Sequence, residues 1–289
     1  MTDSSLSRRH LLHALGGVTL AVPLAGCRDK MKEVQPLGDS ALEALLPIIE
    51  RDTKQIRDGL PKGAVELAKH LDEDPSANRE GLRTAIVKAR ESVKELVVAK
   101  STFFVFVGTD GVVKRAESDP DLAADKSLVE AVPETKAMLD KSEKLVEVFG
   151  YMEGLRGVNK GNEMQWIVGS PVVVEGDLKG AFVTGFSLRR YAEVLENTLK
   201  AKLTEASEKN KRLMPLFYNF ILKGDKAYGT AVTPDGNMAA VAEQNPVANM
   251  QGGSFTKEIE VEGRSFYLAA KPAPALAKDA AVAIMLSPV

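Results

Sequence analysis

The sequence predicts an α+β protein built from two antiparallel sheets, which a long helix joins and an N-terminal helical segment precedes. Short runs rich in Val, Ile and Phe are separated by turn pairs such as Asp110-Gly111, which is typical of hairpins. Longer stretches carry apolar residues every three to four positions, which is typical of amphipathic helices. Because these patterns recur in a similar order in both halves of the chain, we predict two modules of similar plan.

The composition is that of a packed globular protein and excludes several classes of function. The chain has 289 residues, of which 44% are hydrophobic and 27% are charged. Its 38 Lys and Arg residues are balanced by 40 Asp and Glu residues, so we expect no nucleic-acid partner. One Cys and three His residues provide neither an internal disulfide nor a soft metal site. We expect no metal and no cofactor.

Residues 1–26 are predicted to be an export signal peptide. Arg8 and Arg9 precede an uncharged stretch over residues 14–26, and the pair resembles the twin-arginine signature that a dedicated translocase reads. The uncharged stretch is shorter than the roughly twenty residues that a membrane span needs. We therefore expect export through the twin-arginine route.

The signal peptide ends in Leu24-Ala25-Gly26-Cys27, which resembles a bacterial lipobox. The resemblance implies that the Cys27 thiol accepts a diacylglycerol before cleavage and becomes the mature N-terminus. We expect the mature protein to be lipid-anchored in the bacterial cell envelope, facing the periplasm or the cell exterior. The alternative is an N-terminal membrane anchor that contains Cys27 by chance.

The mature chain is predicted to have three parts. Residues 27–38 are polar, contain Pro36 and show no periodicity, so we expect a tether between the lipid and the fold. Residues 39–188 are predicted to hold the N-terminal helices and the first module. Residues 189–289 are predicted to hold the linking helix and a second, smaller module.

The N-terminal helices follow from the spacing of apolar residues. One apolar stripe at helical spacing runs over residues 42–56. Pro47 is predicted to kink or restart this helix, and Gly59 and Pro61 to end it. Two further helices are predicted over residues 64–71 and 79–100, and the second leads directly into a strand.

The two modules are predicted from shorter runs. In the first module, strands are predicted over residues 102–107, 112–116, 144–149, 165–174 and 180–188. A helix over residues 127–139 and a glycine-rich stretch over residues 150–161 lie between them. In the second module, a helix over residues 189–213 is followed by predicted strands over residues 217–222, 227–233, 255–261, 264–271 and 280–286.

Matching turns suggest that the second module is a copy of the first. Asp110-Gly111 precedes Pro120, and Asp235-Gly236 precedes Pro246 by a similar interval. We interpret these features as an internal duplication. The alternative is that two unrelated antiparallel sheets both use Asp-Gly turns.

These elements resemble a known family. A long helix that enters an apolar strand ending in Thr109-Asp110-Gly111, and a later pair of strands around Gly176-Asp177, resemble the Cache branch of PAS-like sensor domains. Two such modules joined by a helix resemble the double Cache arrangement of extracytoplasmic receptors. The resemblance implies a pocket over one face of a sheet and a separate membrane receptor or kinase as partner. The family's amino-acid-binding signature of spaced Tyr, Arg, Trp, Tyr and Asp residues is not recognisable in this sequence.

We found no arrangement of residues that predicts catalysis. His70 has no Ser or Cys motif that would make it a general base. Gly169-Ser170-Pro171 lacks the second glycine of a nucleophile elbow, and the sequence contains no Gly-Lys-Ser or Gly-Lys-Thr phosphate loop. We therefore do not expect an enzyme.

Four residues of the first module are predicted to bind a ligand: Arg115, Tyr151, Arg156 and Trp166. Aromatic walls with a few fixed polar groups are typical of small-molecule sites, and arginine pairs well with carboxylate or phosphate. We therefore expect a small ligand, with an anion as the favoured class. Each residue also has a structural interpretation, since Trp166 can belong to the core and Arg115 to a solvated strand.

The first module is predicted to be the ligand-binding one. Its helix over residues 127–139 and its glycine-rich stretch can close over the sheet, whereas the second module is predicted to pass from turn to strand without a cover. The favoured function is a lipid-anchored extracytoplasmic sensor or solute-binding module that acts through a separate membrane partner. The alternative is a structural or assembly lipoprotein with a filled pocket, which works by protein–protein contact.

Overall fold

A computed structural model describes residues 25–75, 77–156, 163–211, 213–250 and 253–289 of the chain. The helices are α1 (Ala25–Ala68), α2 (Arg79–Glu91), α3 (Lys94–Val98), α4 (Leu128–Ala131), α5 (Leu188–Lys209) and α6 (Asp235–Glu243), with a 3₁₀ helix, η1, over Pro133–Leu139. The strands are β1 (Phe103–Gly108), β2 (Val113–Ala116), β3 (Val146–Tyr151), β4 (Met164–Val174), β5 (Asp177–Ser187), β6 (Leu216–Lys223), β7 (Lys226–Gly229), β8 (Phe255–Val261), β9 (Arg264–Pro272) and β10 (Ala280–Ser287).

The strands form two five-stranded sheets of the same topology. The first sheet has the order β2-β1-β5-β4-β3, and the second has the order β7-β6-β10-β9-β8. All neighbouring strands in both sheets are antiparallel. Helix α5 follows the last strand of the first sheet and leads into the second sheet. The predicted α+β class, with two similar modules joined by a helix, is therefore confirmed.

Helix α1 supplies the core that the two sheets share. Its buried side chains form one cluster with residues of the first sheet, such as Phe182, and of the second sheet, such as Tyr267. Two glycines allow close approach, because a Cβ on Gly63 would lie 2.9 Å from Phe182 Cε1 and a Cβ on Gly38 would lie 3.0 Å from Tyr267 Cε1. The two ends of α1 therefore pack on different modules.

The prediction that the first helix ends at Gly59 and Pro61 is wrong, and the helix does not restart at Pro47; a kink at Pro47 stays a prediction. Helix α1 runs for 44 residues and contains Pro36, Pro47 and Pro61. The predicted short helix over residues 64–71 is the last part of α1. Each interior proline removes one hydrogen bond, but the buried apolar face of α1 outweighs that loss.

The expected tether over residues 27–38 is also wrong, because these residues belong to α1. Met31 and Val34 are buried in the shared core, so part of this segment packs on the fold. Cys27 lies in the first turn of the helix as described. The predicted export residues Arg8 and Arg9 lie outside the described residues.

Two predicted helices are each divided in the structure. The helix predicted over residues 79–100 is α2 and α3, separated at Val93, which is buried and has an extended backbone. The helix predicted over residues 127–139 is α4 and η1, because Pro133 cannot continue the hydrogen bonding of α4 and begins the 3₁₀ turn.

The second module differs from the prediction at one turn. Asp235-Gly236 starts α6, whereas the hairpin turn between β6 and β7 is Gly224-Asp225. The counterpart of Asp110-Gly111 is therefore Gly224-Asp225. Helix α6 places Val241 in the core on one face of the second sheet, so the expectation of a second module without a cover is wrong.

A buried carboxylate ties α1 to α5. Asp52 is fully buried, and its Oδ1 accepts hydrogen bonds from Arg51 Nε at 2.9 Å and Arg51 Nη2 at 2.7 Å. The Tyr191 hydroxyl on α5 donates to Asp52 Oδ2 at 3.2 Å. Both carboxylate oxygens have donors, as a buried charge requires.

Among the described residues, no helix combines the length and the apolar character that a bilayer crossing requires.

We expect Ile49→Ala to destabilise both modules together. Ile49 is fully buried in the shared core, and loss of a buried isoleucine of this kind costs about 2–5 kcal/mol. Differential scanning calorimetry should show one transition that moves to lower temperature as a whole. The control is Val65→Ala on the same helix, which is 61% exposed and should change stability by about 0.5 kcal/mol or less. A variant in which one module keeps its wild-type transition would contradict a shared core.

Candidate functional site

The two faces of the first sheet have different partners. The helix face packs on α1 and carries Phe106, Trp166 and Phe182. The opposite face, which we call the cover face, carries Val105 and Ile167 and packs against α4 and η1. A small ligand bound over this sheet must lie on the cover face, because α1 occupies the other one.

The cover packs closely on the sheet. The side chain of Met138 in η1 lies against Gly169 of β4, in the place where a Cβ would stand. A Cβ on Gly150 of β3 would lie 2.5 Å from Val132 Cγ2. Both contacts need glycine in the strand, so the middle of the cover face is filled by apolar side chains of the cover.

Polar residues occupy one end of the cover face. Gln165 of β4 lies opposite Ser187 of β5, and both are buried. The Ser187 hydroxyl hydrogen-bonds to Glu163, whose other oxygen forms an ion pair with Arg156 Nη2 at 3.0 Å. Gln165 Oε1 is buried and has no hydrogen-bond partner among the described residues. We call Arg156, Glu163, Gln165 and Ser187 the polar row.

A buried amide oxygen without a donor is costly, by about 1–3 kcal/mol. Such a group therefore needs a partner that a ligand or water can provide. The row also contains one cationic and one anionic group, Arg156 and Glu163, which are 17% and 13% exposed. A ligand with both donor and acceptor groups could exchange partners with them.

Trp166 lies on the helix face and is fully buried. Its ring packs on Phe186 with centroids 4.9 Å apart, and its Nε1 donates to Glu147 Oε2 at 3.2 Å. Arg57 of α1 lies over the ring at 5.4 Å and holds the same carboxylate through two bonds of 2.7 Å. Arg57 Nη1 also donates to the carbonyl of Ala275 in the second module, at 2.6 Å.

Arg115 is at the β2 edge and is 8% exposed. It forms an ion pair with Asp121 at 3.1 Å and donates to the carbonyl of Ser118 at the same distance. Asp121 in turn accepts from the backbone N–H of Ala116 at 2.7 Å. Arg115 therefore holds the loop that follows β2.

Tyr151 lies at the contact between the modules. Its hydroxyl is 3.1 Å from the hydroxyl of Tyr228 in the second module. Lys226 lies over the Tyr151 ring at 5.8 Å, and Lys223 lies over the ring of neighbouring Phe149 at 4.8 Å. The edge strand β3 thus packs on the β6–β7 hairpin.

The structure therefore separates the four residues that were predicted to form one ligand site. Arg156 is the member that belongs to the polar row, while Trp166, Arg115 and Tyr151 have partners elsewhere. Whether each contacts a ligand stays a prediction. The described residues contain no group of three or more His, Cys, Asp or Glu side chains that could hold a metal ion.

Sequence reasoning missed Glu163, Gln165 and Ser187. One signal was present in the sequence. Side chains alternate between the two faces of a strand, so Gln165 lies on the same face as Ile167, which is a buried apolar residue of the cover face. A polar residue at a buried strand position is the kind of exception that marks a site.

No protein-family model matches the chain, and no curated protein matches it. Solved structures do match. An extracellular domain assigned to a histidine kinase, vpHK1S-Z8, has a TM-score of 0.55 at 12% identity and covers 91% of this chain and 93% of its own. The ligand-binding domain of the Pseudomonas aeruginosa PAO1 amino acid chemoreceptor PctB in complex with L-Arg has a TM-score of 0.50 at 16% identity and covers 90% of this chain and 88% of its own.

The ligand-binding domain of Mlp24 with asparagine is similar as well, with a TM-score of 0.50 at 14% identity, over 89% of this chain and 95% of its own. These neighbours are ligand-binding or extracellular domains of sensor proteins. At such low identity the likeness shows the fold, which is that of Cache or PAS-like sensor domains.

We expect alkaline pH to lower the free energy of unfolding, because three buried tyrosines form hydrogen bonds that join different elements of the fold. Burial is the main cause that raises the pKa of Tyr191, Tyr228 and Tyr267, and the neighbours Asp52, Tyr151 and Asp39 respectively add to it. Unfolded tyrosine ionises at a pKa of about 10, so the unfolded chain loses these protons first. The stability they contribute is complete below about pH 10 and decreases as the pH rises above it.

Urea unfolding at a series of pH values between about 8 and 11 would measure this decrease. Tyr191→Phe removes one of the three groups, so the free energy of unfolding should fall less steeply with pH than in the wild type. Identical slopes for the two proteins would contradict the assignment.

Proposed function

We propose that this chain is an extracytoplasmic sensor or solute-binding module, which is lipid-anchored through Cys27, binds a small solute and acts through a separate membrane receptor or kinase. The observation that carries the proposal is the polar row on the cover face of the first sheet. The fold supports it, because the neighbours in complex with L-Arg or asparagine are ligand-binding domains. We assign no catalytic step.

The polar row supports a ligand that carries hydrogen-bond donors and a negative charge. Gln165 Oε1 has no donor in the described part of the chain, and a ligand N–H or O–H would satisfy it. Arg156 can turn its guanidinium towards a carboxylate or phosphate, with charge-assisted bonds. Glu163 keeps the local charge balanced and would bind an ammonium group on the same ligand. The favoured ligand class remains a small anion, and a zwitterion also matches these groups.

The filled middle of the cover face is what the alternative, a structural or assembly lipoprotein, would require. In the proposed function, the same filled face is the state of the protein without its ligand. Met138 lies on Gly169, and an unbranched thioether side chain can change rotamer more easily than a branched one. Displacing Met138 would open space next to Ile167 without moving the strands.

The proposed anchor is consistent with the position of Cys27. Helix α1 begins before Cys27 and is packed on the fold by Met31, so little slack would separate a lipid on Cys27 from the folded protein. Diacylglycerol supplies the two chains that stable anchoring needs, whereas one chain is marginal.

We expect Gln165→Met to separate ligand binding from stability. Methionine is close in shape to glutamine and carries no unpaired oxygen, so the ligand-free protein should unfold at the same temperature or a higher one. Ligand stabilisation should be lost. Thermal shift with the twenty L-amino acids, acetate, succinate and inorganic phosphate would provide the measurement, because a ligand at about 100 times its Kd stabilises by about 2.7 kcal/mol.

The matched charge variants are Arg156→Ala and Arg79→Ala. Arg79 is an exposed arginine paired with Asp125, so its removal should leave the thermal shift unchanged. Arg156→Ala should reduce it. A solute that stabilises the wild type, Gln165→Met and Arg156→Ala equally would place the ligand elsewhere, and the absence of any stabilising solute would favour the structural alternative.

We expect Cys27→Ser to release the protein from membranes. Without the thiol no diacylglycerol can be attached, so the chain should move from the membrane fraction to the soluble fraction or remain uncleaved. Fractionation of the bacterial envelope and the intact mass of the N-terminal peptide would measure both changes. Unchanged partitioning together with an unchanged N-terminal mass would refute lipidation.

A further inference from the structure

We propose that a groove between α1 and α5 binds a long-chain fatty acid. The groove lies on a different part of the molecule from the polar row, and the proposal does not rest on the sensor function. Its larger section has a volume of about 470 Å³. Its lining includes Glu33, Val34 and Leu37 of α1, Ser207 of α5, and Leu213 and Val289.

This section suits an apolar chain. Most of its lining is aliphatic or proline, and its volume lies within the range of about 300–1,000 Å³ that is usual for small-molecule sites. Leu213 is 75% exposed and Val289 is 62% exposed. Large apolar side chains that remain exposed around a groove mark a binding surface.

A buried hydroxyl within the apolar section indicates that the occupant also has a polar group. Ser207 is 5% exposed, and its Oγ has no hydrogen-bond partner among the described residues. A serine on a helix ordinarily bonds to a carbonyl of the preceding turn. The Ser207 hydroxyl can donate to an oxygen of the ligand and so regain the hydrogen bond that burial has removed.

A second section of about 230 Å³ continues the groove and shares Leu37 and Ala206 with the first. Lys202 and Lys209 line it, together with Glu205. Lys202 and Glu205 form an exposed pair at 3.4 Å, which is a weak interaction that an incoming carboxylate can replace. Lys209 adds a second ammonium group, so this section attracts an anionic head.

The two sections together match one amphiphile. Its carboxylate lies where the two sections join at Ala206, between Lys202 and Lys209, so that Ser207 of the larger section can donate to it. The acyl chain extends through the larger section towards Leu213. A single groove accommodates a single chain, so the class is a fatty acid.

The location is consistent with a lipid ligand. Glu33 is six residues beyond Cys27 on α1. At about 1.5 Å per residue, the groove begins within about 10 Å of that position along the helix axis.

Fluorescence titration of the full chain with dansylaminoundecanoic acid tests the proposal, with palmitate as the competitor. Wild-type protein should enhance the probe fluorescence, and palmitate should displace it. Dodecyltrimethylammonium, which has an apolar chain and a cationic head, should compete at least about tenfold less well, because the two lysines repel it. Equal competition by the two amphiphiles would overturn the proposed head-group site.

Three variants locate the binding. Ala206→Phe fills the junction of the two sections, and Lys209→Glu reverses the charge at the head; each should weaken probe binding at least about tenfold. Ser207→Ala should weaken it less, without lowering the unfolding temperature. Because Lys209 is exposed, Lys209→Glu tests the site even if Ala206→Phe does not fold.

The matched controls are Lys200→Glu, an exposed lysine of α5 that does not line either section, and Val232→Phe, at a position that is 80% exposed. Both should bind the probe as the wild type does. Every variant keeps residues 14–26, so probe bound by that apolar stretch is the same in all. If the three groove variants bind as tightly as the controls, the proposal is wrong.

Discussion

The burial of one face of α1 against both sheets is the constraint on which the rest of the structure depends. Six Leu and Ile residues of α1 are at most 1% exposed: Leu42, Leu45, Ile49, Ile56, Leu60 and Leu67. Burying each contributes about 1.5–3 kcal/mol, while each of the three interior prolines costs about 3 kcal/mol. The burial therefore offsets the prolines, and the helix stays continuous. Because α1 is continuous, the two modules share a core and form one structural unit.

The fold class and most strands could be predicted because apolar runs and turn residues are local features. The continuity of α1 could not, since it depends on partners far away in the sequence, such as Tyr267 beside Gly38. The same holds for residues 27–38, whose polar composition hides the two buried positions of Met31 and Val34. The mismatched turn in the second module has another cause. Asp235-Gly236 can start a helix as readily as a turn, and only the strand pairing shows that Gly224-Asp225, between two predicted strands, is the counterpart of Asp110-Gly111.

The candidate site was harder to predict because neighbouring residues on a strand point to opposite faces. Trp166 and Gln165 are adjacent, yet Trp166 packs against Arg57 of α1 while Gln165 belongs to the polar row. From residue type alone, Trp166 is the better candidate for the wall of a ligand site than Gln165. Only the packing of α1 on one face decides which of the two can meet a ligand. Arg156 was predictable as a charged residue near the glycine-rich stretch, but its pairing with Glu163 was not.

The two faces of the first sheet are mechanically connected through its edge strand. On β3, Val148 packs on the cover face, and its neighbour Glu147 holds Arg57 of α1 on the other side. Arg57 also bonds to Ala275, so Glu147, α1 and the second module meet at one guanidinium. A displacement of β3 caused by a ligand on the cover face must therefore stretch or re-form these bonds. Interfaces of this kind tend to have a few discrete conformations. A ligand shifts the equilibrium between two conformations only by the difference in its affinity for them. Signal transfer from the polar row to α1 thus requires that a ligand bind more tightly when β3 is displaced.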